Sequence, residues 1–286
     1  KQTRGGNAPP MVEVITDAKL ARIQAAETKI KEVEKKISEY KKNASIAFDK
    51  WAAEAAKKVG EQPKDPAGLY AHLPLNEFKD RKGTDLLNEK NEVKWEGNGR
   101  TVKGKLGSAF RVEGNGYINA KGIKPPEWNK PFSYGCWVKP DAGNVSAAIF
   151  SKMNESNSYR GFDLWLQNGA PGTHIIHKWQ DNAVKVVGKT KAKAKQWSHI
   201  FVTYDGSGKA SGTKIYLNGK IETHNVEADG LNGSIQTPND FRIGRRSNSA
   251  YANNIEIDDV RIYHRALKAS EVASLVGADP IAPLLA

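Results

Sequence analysis

Cysteine is almost absent from the sequence. Cys136 stands alone, so the chain holds no intrachain disulfide and no zinc or iron-sulfur site built from clustered cysteines. It lies in the apolar run Tyr134-Gly135-Cys136-Trp137-Val138, the setting of a buried structural thiol and not of a nucleophile. Long hydrophobic runs are missing too. No stretch approaches the roughly 20 apolar residues needed to cross a bilayer. Neither an initiator methionine nor an apolar leader opens the chain, which reads as an excised or processed piece. No nucleophile elbow, phosphate-binding glycine loop or Cys-His pair is present. The six histidines show no metal-site spacing, and His174 and His177, three apart on an expected strand, point to opposite faces.

Acidic residues are outnumbered. With 44 Lys and Arg against 32 Asp and Glu the formal charge is +12. The first 60 residues hold 13 bases and 8 acids, +5, which leaves +7 for the rest. An excess spread this evenly describes a solvated surface, one that suits an acidic glycan or anionic surface as partner, and not a nucleic-acid footprint.

Proline and glycine are missing from Asp17 to Val59, where Ala, Lys and Glu dominate. Residues 1–16 read as a linker or tail, 17–60 as one helical segment, and Gly60 supplies its stop. Ile23, Ile30, Ile37, Ala44 and Trp51 recur every seven residues, with Ala26, Val33, Tyr40 and Ala47 three positions later, which is a coiled-coil seam. Glu27 with Lys31 and Glu32 with Lys36 add i,i+4 pairs on its polar face. No second helix of matching length follows, so the seam needs the rest of the chain, another domain or another copy as its partner. Its alanines and Trp51 favour packing within a larger polypeptide over a strong homodimer.

After a short polar linker, 60–66, the pattern turns to short β-rich runs separated by Gly, Asn, Asp and Pro. About a dozen such runs without intervening helices predict a mainly β fold over residues 68–277, two packed antiparallel sheets in a jelly-roll sandwich. Asn218-Gly219 is a two-residue hairpin signal, and Lys268 to Leu275 reads as a short closing helix. Residues 278–286, with Pro280 and Pro283, read as an exit linker.

Four segments carry a family resemblance. Lys103 to Val112 followed by Gly114-Asn115-Gly116-Tyr117-Ile118 resembles an early glycine-rich hairpin. Phe132 to Pro140 resembles a central strand ending Trp-Val-Lys-Pro. Gln196 to Gly206 with Lys214 to Lys220, and Arg242-Ile243-Gly244 with Ile257 to Leu267, resemble the later hairpin and the closing strands. In this order they are similar to laminin-G-like jelly rolls of the concanavalin A-like lectin/glucanase superfamily. The helix-then-jelly-roll order and the proline-rich end also resemble the middle of large planctomycete-type multidomain proteins with uncharacterised flanking domains and a cytochrome-c-like segment. No Cys-x-x-Cys-His occurs here, so no haem is expected on this chain.

The resemblance implies an extracytoplasmic recognition module. Glucanases of the superfamily carry Glu-x-Asp-x-Glu on one strand. The nearest approach here is Glu256-Ile257-Asp258, without a third carboxylate, so no catalysis is expected. Many relatives hold a structural Ca2+ through an Asp at the start of the last strand, which implies Asp258 as its side-chain ligand, with carbonyls near Leu75 to Glu77 completing the shell. Alternation suggests a ligand face: in Gly161 to Gln167, Phe162, Leu164 and Leu166 share one side, leaving Asp163, Trp165 and Gln167 on the other. An indole between a carboxylate and an amide suits a sugar, stacking on the pyranose while the polar groups bond its hydroxyls. His177 and Trp179 on the next strand, and His199 beyond, are expected to extend that face. The expected function is glycan binding, with a scaffold holding neighbouring domains as the alternative.

Overall fold

The computed structural model describes residues 16–58 and 65–277. Nearly all of the expected tail, the Gly60 stop, most of the 60–66 linker and the exit linker at 278–286 lie outside these residues. The chain divides into two units, a helical one and the sandwich.

The helical unit is α1, Asp17–Lys58. The Thr16 hydroxyl accepts the Lys19 amide at 3.3 Å, and Asp17 places an acid in the positively polarised first turn. Its seam residues are exposed, Ile30 at 56% and Tyr40 at 77%.

Among the described residues the sandwich contains 17 strands: β1 Leu69–Leu73, β2 Lys82–Gly83, β3 Val93–Glu96, β4 Gly99–Lys103, β5 Ser108–Val112, β6 Tyr117–Ala120, β7 Phe132–Pro140, β8 Ala147–Asn154, β9 Arg160–Gln167, β10 Ala170–Lys178, β11 Asn182–Gly188, β12 Ser198–Tyr204, β13 Thr213–Leu217, β14 Lys220–Glu222, β15 His224–Gly230, β16 Phe241–Ile243 and β17 Ile255–Tyr263. Sheet one runs β14-β13-β12-β7-β17-β5-β4, with β1 also pairing to β17; sheet two runs β15-β11-β10-β9-β8-β16-β6-β3-β2. Every pairing is antiparallel, as the run pattern predicts.

Five strands escape the sequence pattern. β4 and β15 are largely exposed along their length, and β2, β3 and β14 are two to four residues long, so pairing with neighbours and not alternation defines them. The Asn218-Gly219 turn forms as expected, both residues having positive φ (52° and 77°), as a type I′ hairpin requires.

Between the sheets lies an aromatic core. The Phe162 ring meets Phe132 at 5.6 Å and Tyr134 at 4.9 Å, and Tyr134 meets Phe150 at 5.9 Å. The Tyr134 hydroxyl crosses from sheet one to Thr173 of sheet two, whose own hydroxyl donates to the Asp163 carbonyl at 2.7 Å. Cys136 is fully buried here, and burial pushes its thiol pKa up, so it is inert. The other side of sheet one is closed by α2, Ala269–Val276, through Val272 and Leu275 against Phe201, Tyr216 and Tyr263. That covering explains why β12 is buried along its whole length and shows no alternation.

Candidate functional site

The alternation expected for β9 holds: Phe162, Leu164 and Leu166 enter the core, and the opposite side of sheet two carries Asp163, Trp165 and Gln167. Residues paired across antiparallel strands share a face. Asp163 pairs with His174 on β10, and His174 with Lys185 on β11, so carboxylate, imidazole and ammonium lie in one line across three strands. Trp165 pairs with Gly172 on β10.

Trp165, Gln167, His174 and Lys185 form a cavity of about 240 Å3, lined also by Tyr159, Ile176, Trp179 and Arg246. Asp163 lies beneath it, fully buried. Its Oδ1 accepts the His174 amide and ring Nδ1, both at 2.9 Å, and Oδ2 accepts Arg246 Nε and Nη2 at 3.0 and 2.7 Å. Burial alone would raise its pKa, but the His174 and Arg246 charges and hydrogen bonds outweigh this and hold it at about 2. Because an ionised carboxylate only accepts, His174 donates to it from Nδ1.

Two cations lie on aromatic faces. The Arg246 guanidinium carbon is 4.4 Å from the Trp165 ring centre and 5.7 Å from that of Tyr159, and Lys185 Nζ is 5.7 Å from that of Trp179. The His174 ring meets Trp165 and Trp179 nearly edge-on, at 6.0 and 5.6 Å. At the rim, Glu227 accepts Lys185 Nζ at 2.6 Å and Gln167 Nε2 at 2.7 Å.

Arg246 reaches the sheet from the loop after β16. Glu155 clamps that loop: its carboxylate accepts the Ser247 hydroxyl and the Ser249 amide, each at 3.0 Å, together with the Asn248 amide and Ser249 hydroxyl. Burial works against ionisation of Glu155, but these bonds prevail and lower its pKa.

Among the expected site residues, Trp165, Gln167 and Trp179 come together over Asp163. His177 does not. Its Nδ1 bonds the Ser234 carbonyl at 2.8 Å, and its ring fills the space above Gly233. With His174 and Ile176 facing the cavity, position 177 falls on the opposite side, and a bulge follows between Ile176 and Lys178. His199 belongs to the other sheet, on β12, stacked on Phe201 and 5.1 Å from Trp137. Burial holds it neutral, with its pKa lowered to about 4. The residues missed were Tyr159, His174, Lys185, Glu227 and Arg246. Register would have supplied His174 and Lys185, whereas Arg246 lies in a loop without periodicity.

Asp258 lies within β17, paired with Trp137 of β7, and not at the start of the strand as expected. A register shift follows it, and Asp259 has φ of 54°. Asp258 Oδ2 accepts the amides of Lys105 and Leu106 at 2.7 and 2.9 Å, a close approach that leaves no space for a side chain at Gly104. Its Oδ1 is buried without a hydrogen-bond partner, and burial pushes its pKa up to about 7.

A two-sheet antiparallel sandwich with a cation-and-aromatic cavity on its outer face defines a binding-module architecture. A laminin-G family model, described as the concanavalin A-like lectin/glucanases superfamily, matches residues 112–273, and the chain belongs to that superfamily. The fold is similar to the binding domain of Paraclostridial Mosquitocidal Protein 1 (16% identity, TM-score 0.58, 73% of this chain and 52% of that one). It is also similar to the botulinum neurotoxin DC binding domain in complex with SialylT (16%, 0.53, 74% and 51%) and in complex with rat synaptotagmin II (17%, 0.52, 73% and 51%). The match thus spans about half the length of each neighbour. A comparison with curated proteins gave no match. No helix among the described residues is long and apolar enough to cross a membrane.

Proposed function

We propose that the sandwich is a non-catalytic glycan-recognition module of an extracytoplasmic protein, its ligand seated on sheet two between Trp165 and Trp179. The observation that carries this reading is the cavity itself: two indoles, an imidazole and two cations converge on a volume of about 240 Å3. Asp163 is buried under it with both oxygens occupied, so it organises the site and does not contact sugar. Arg246 bonds through Nε and Nη2, which leaves Nη1 for a ligand, and Lys185 has donors beyond its bond to Glu227. Outward donors on cations favour a carboxylate- or sulfate-bearing sugar. The two carboxylates at the site are committed, Glu227 at the rim to Lys185 and Gln167 and Asp163 beneath to His174 and Arg246, which supports recognition over the acid and nucleophile roles of glycoside hydrolysis. A glycan array that includes uronate-rich and sulfated polymers tests the reading: binding is expected, and Trp165→Ala should abolish it.

The exposed seam of α1 favours a second reading, a scaffold that organises neighbouring domains. Silence on every glycan, with capture of flanking domains of the same polypeptide, would support it.

Calcium is part of the proposal as a structural ion. The donor set fits it in part, since Asp258 Oδ1 is a buried oxygen without a partner. Asp259 is committed to His72 at 2.6 Å and Arg261 at 2.9 Å, and the described residues hold no cluster of three His, Cys, Asp or Glu. Asp258 would be the single side-chain ligand, with carbonyls and water making up the rest.

A further inference from the structure

A second, larger cavity of about 530 Å3 opens at one end of the sandwich, between the segment after β6 and the segment before β16. Lys152 and Lys124 line it together with Asp240, Gln236 and Thr237. Lys152 is out of place by sequence logic. On β8 it pairs with Phe162, a core residue, so an ammonium takes a core-side position at the end of the strand. The residue is only 6% exposed, and its Nζ donates to the Asn239 carbonyl.

One acceptor leaves donor capacity on an ammonium that has three N–H groups. Burial lowers the Lys152 pKa, Asp240 partly offsets this, and Lys124 adds to the lowering. Asp240 is itself shared, its Oδ2 accepting Asn119 Nδ2 at 2.9 Å. Two ammonium groups therefore face one carboxylate, and the cavity lacks one negative charge. Nearby, Gln236 donates its amide to the carbonyls of Pro125 and Pro126 at 3.0 and 3.3 Å, which leaves its oxygen as an acceptor for a ligand hydroxyl.

We infer that this cavity is a second binding site, for the carboxylate or sulfate group of a small hydroxylated molecule held between Lys152 and Lys124. A buried charge gains most from a partner that reaches it with hydrogen bonds, and an anion here restores neutrality while using the vacant donors. The site stands independently of the Trp165 cavity and of whether that cavity binds glycans.

Amide NMR on the full chain tests it, with sodium glucuronate and sodium sulfate as probes and glucose as the neutral control. Saturable shifts at Gly122, Lys124, Thr237 and Asp240 are expected with an anion and not with glucose. Response to glucuronate alone identifies a carboxylate, and response to sulfate alone identifies a sulfate; either supports the site. Loss of one charge-assisted contact should weaken binding about tenfold in Lys124→Ala and at least as much in Lys152→Met. Lys124 is exposed, so its variant carries the test should Lys152→Met fail to fold. Trp165→Ala should leave the titration unchanged. Absence of shifts with both anions, or wild-type affinity in both lysine variants, would overturn the inference.

Discussion

Asp163 shows the difference between polarity on a strand face and availability to a ligand. Alternation places it beside Trp165, and the structure agrees, but Arg246 and His174 close over it and turn a sugar contact into a buried anchor. Its low pKa makes this testable. The folded value of about 2 lies below the unfolded value of about 3.9, so the carboxylate stabilises the fold above pH 4. That contribution, about 2–3 kcal/mol, is lost as pH falls through 2. Asp163→Asn, which leaves Arg246 without its ion pair, should cost roughly 3 kcal/mol at pH 7 in urea unfolding. The gap between wild type and variant should narrow toward pH 2, and a pH-independent gap would speak against ionic anchoring.

At the scale of elements, β9 was legible because its three apolar residues alternate on one side and face the core. β10 was not. Ile175 and Ile176 are both buried, so hydrophobicity cannot assign its parity, and only pairing with Asp163 shows that His174 and not His177 faces the cavity. His199 illustrates the same limit: β12 is buried on both sides by the core and α2, which removes the pattern that would assign it to a sheet. The 245–249 loop was invisible because Glu155, about 90 residues earlier, fixes it by long-range hydrogen bonds. Glu155→Ala leaves the Asn248 and Ser249 amides without that acceptor and should cost about 1–3 kcal/mol, chiefly as local opening. Hydrogen exchange should rise in residues 246–249 while the core strands stay protected, and glycan affinity should fall as Arg246 loses its position. Unchanged exchange in the loop would contradict the clamp.

The whole sandwich was readable as a class because strand runs, turn signals and the absence of helices between them agree. Its metal status was not, since carbonyl ligands leave no trace in side-chain identity. If Asp258 Oδ1 holds Ca2+, folding and binding are linked, and free Ca2+ at 100 times Kd adds about 2.7 kcal/mol. For a domain of this size that raises Tm by roughly 2–4 °C per kcal/mol. Melts in millimolar Ca2+ and in chelator should differ by several degrees, and Asp258→Ala should erase the difference. Identical melts would remove calcium from the account.

The central claim, that the outer face of sheet two recognises a glycan, is tested most directly by the indole N–H signals of Trp165 and Trp179 during titration with an array-selected oligosaccharide. The account predicts that both signals move together and saturate at one affinity, with the Gln167 side-chain amide following. Saturable binding that leaves both indoles unmoved, with shifts confined to another surface, would contradict it.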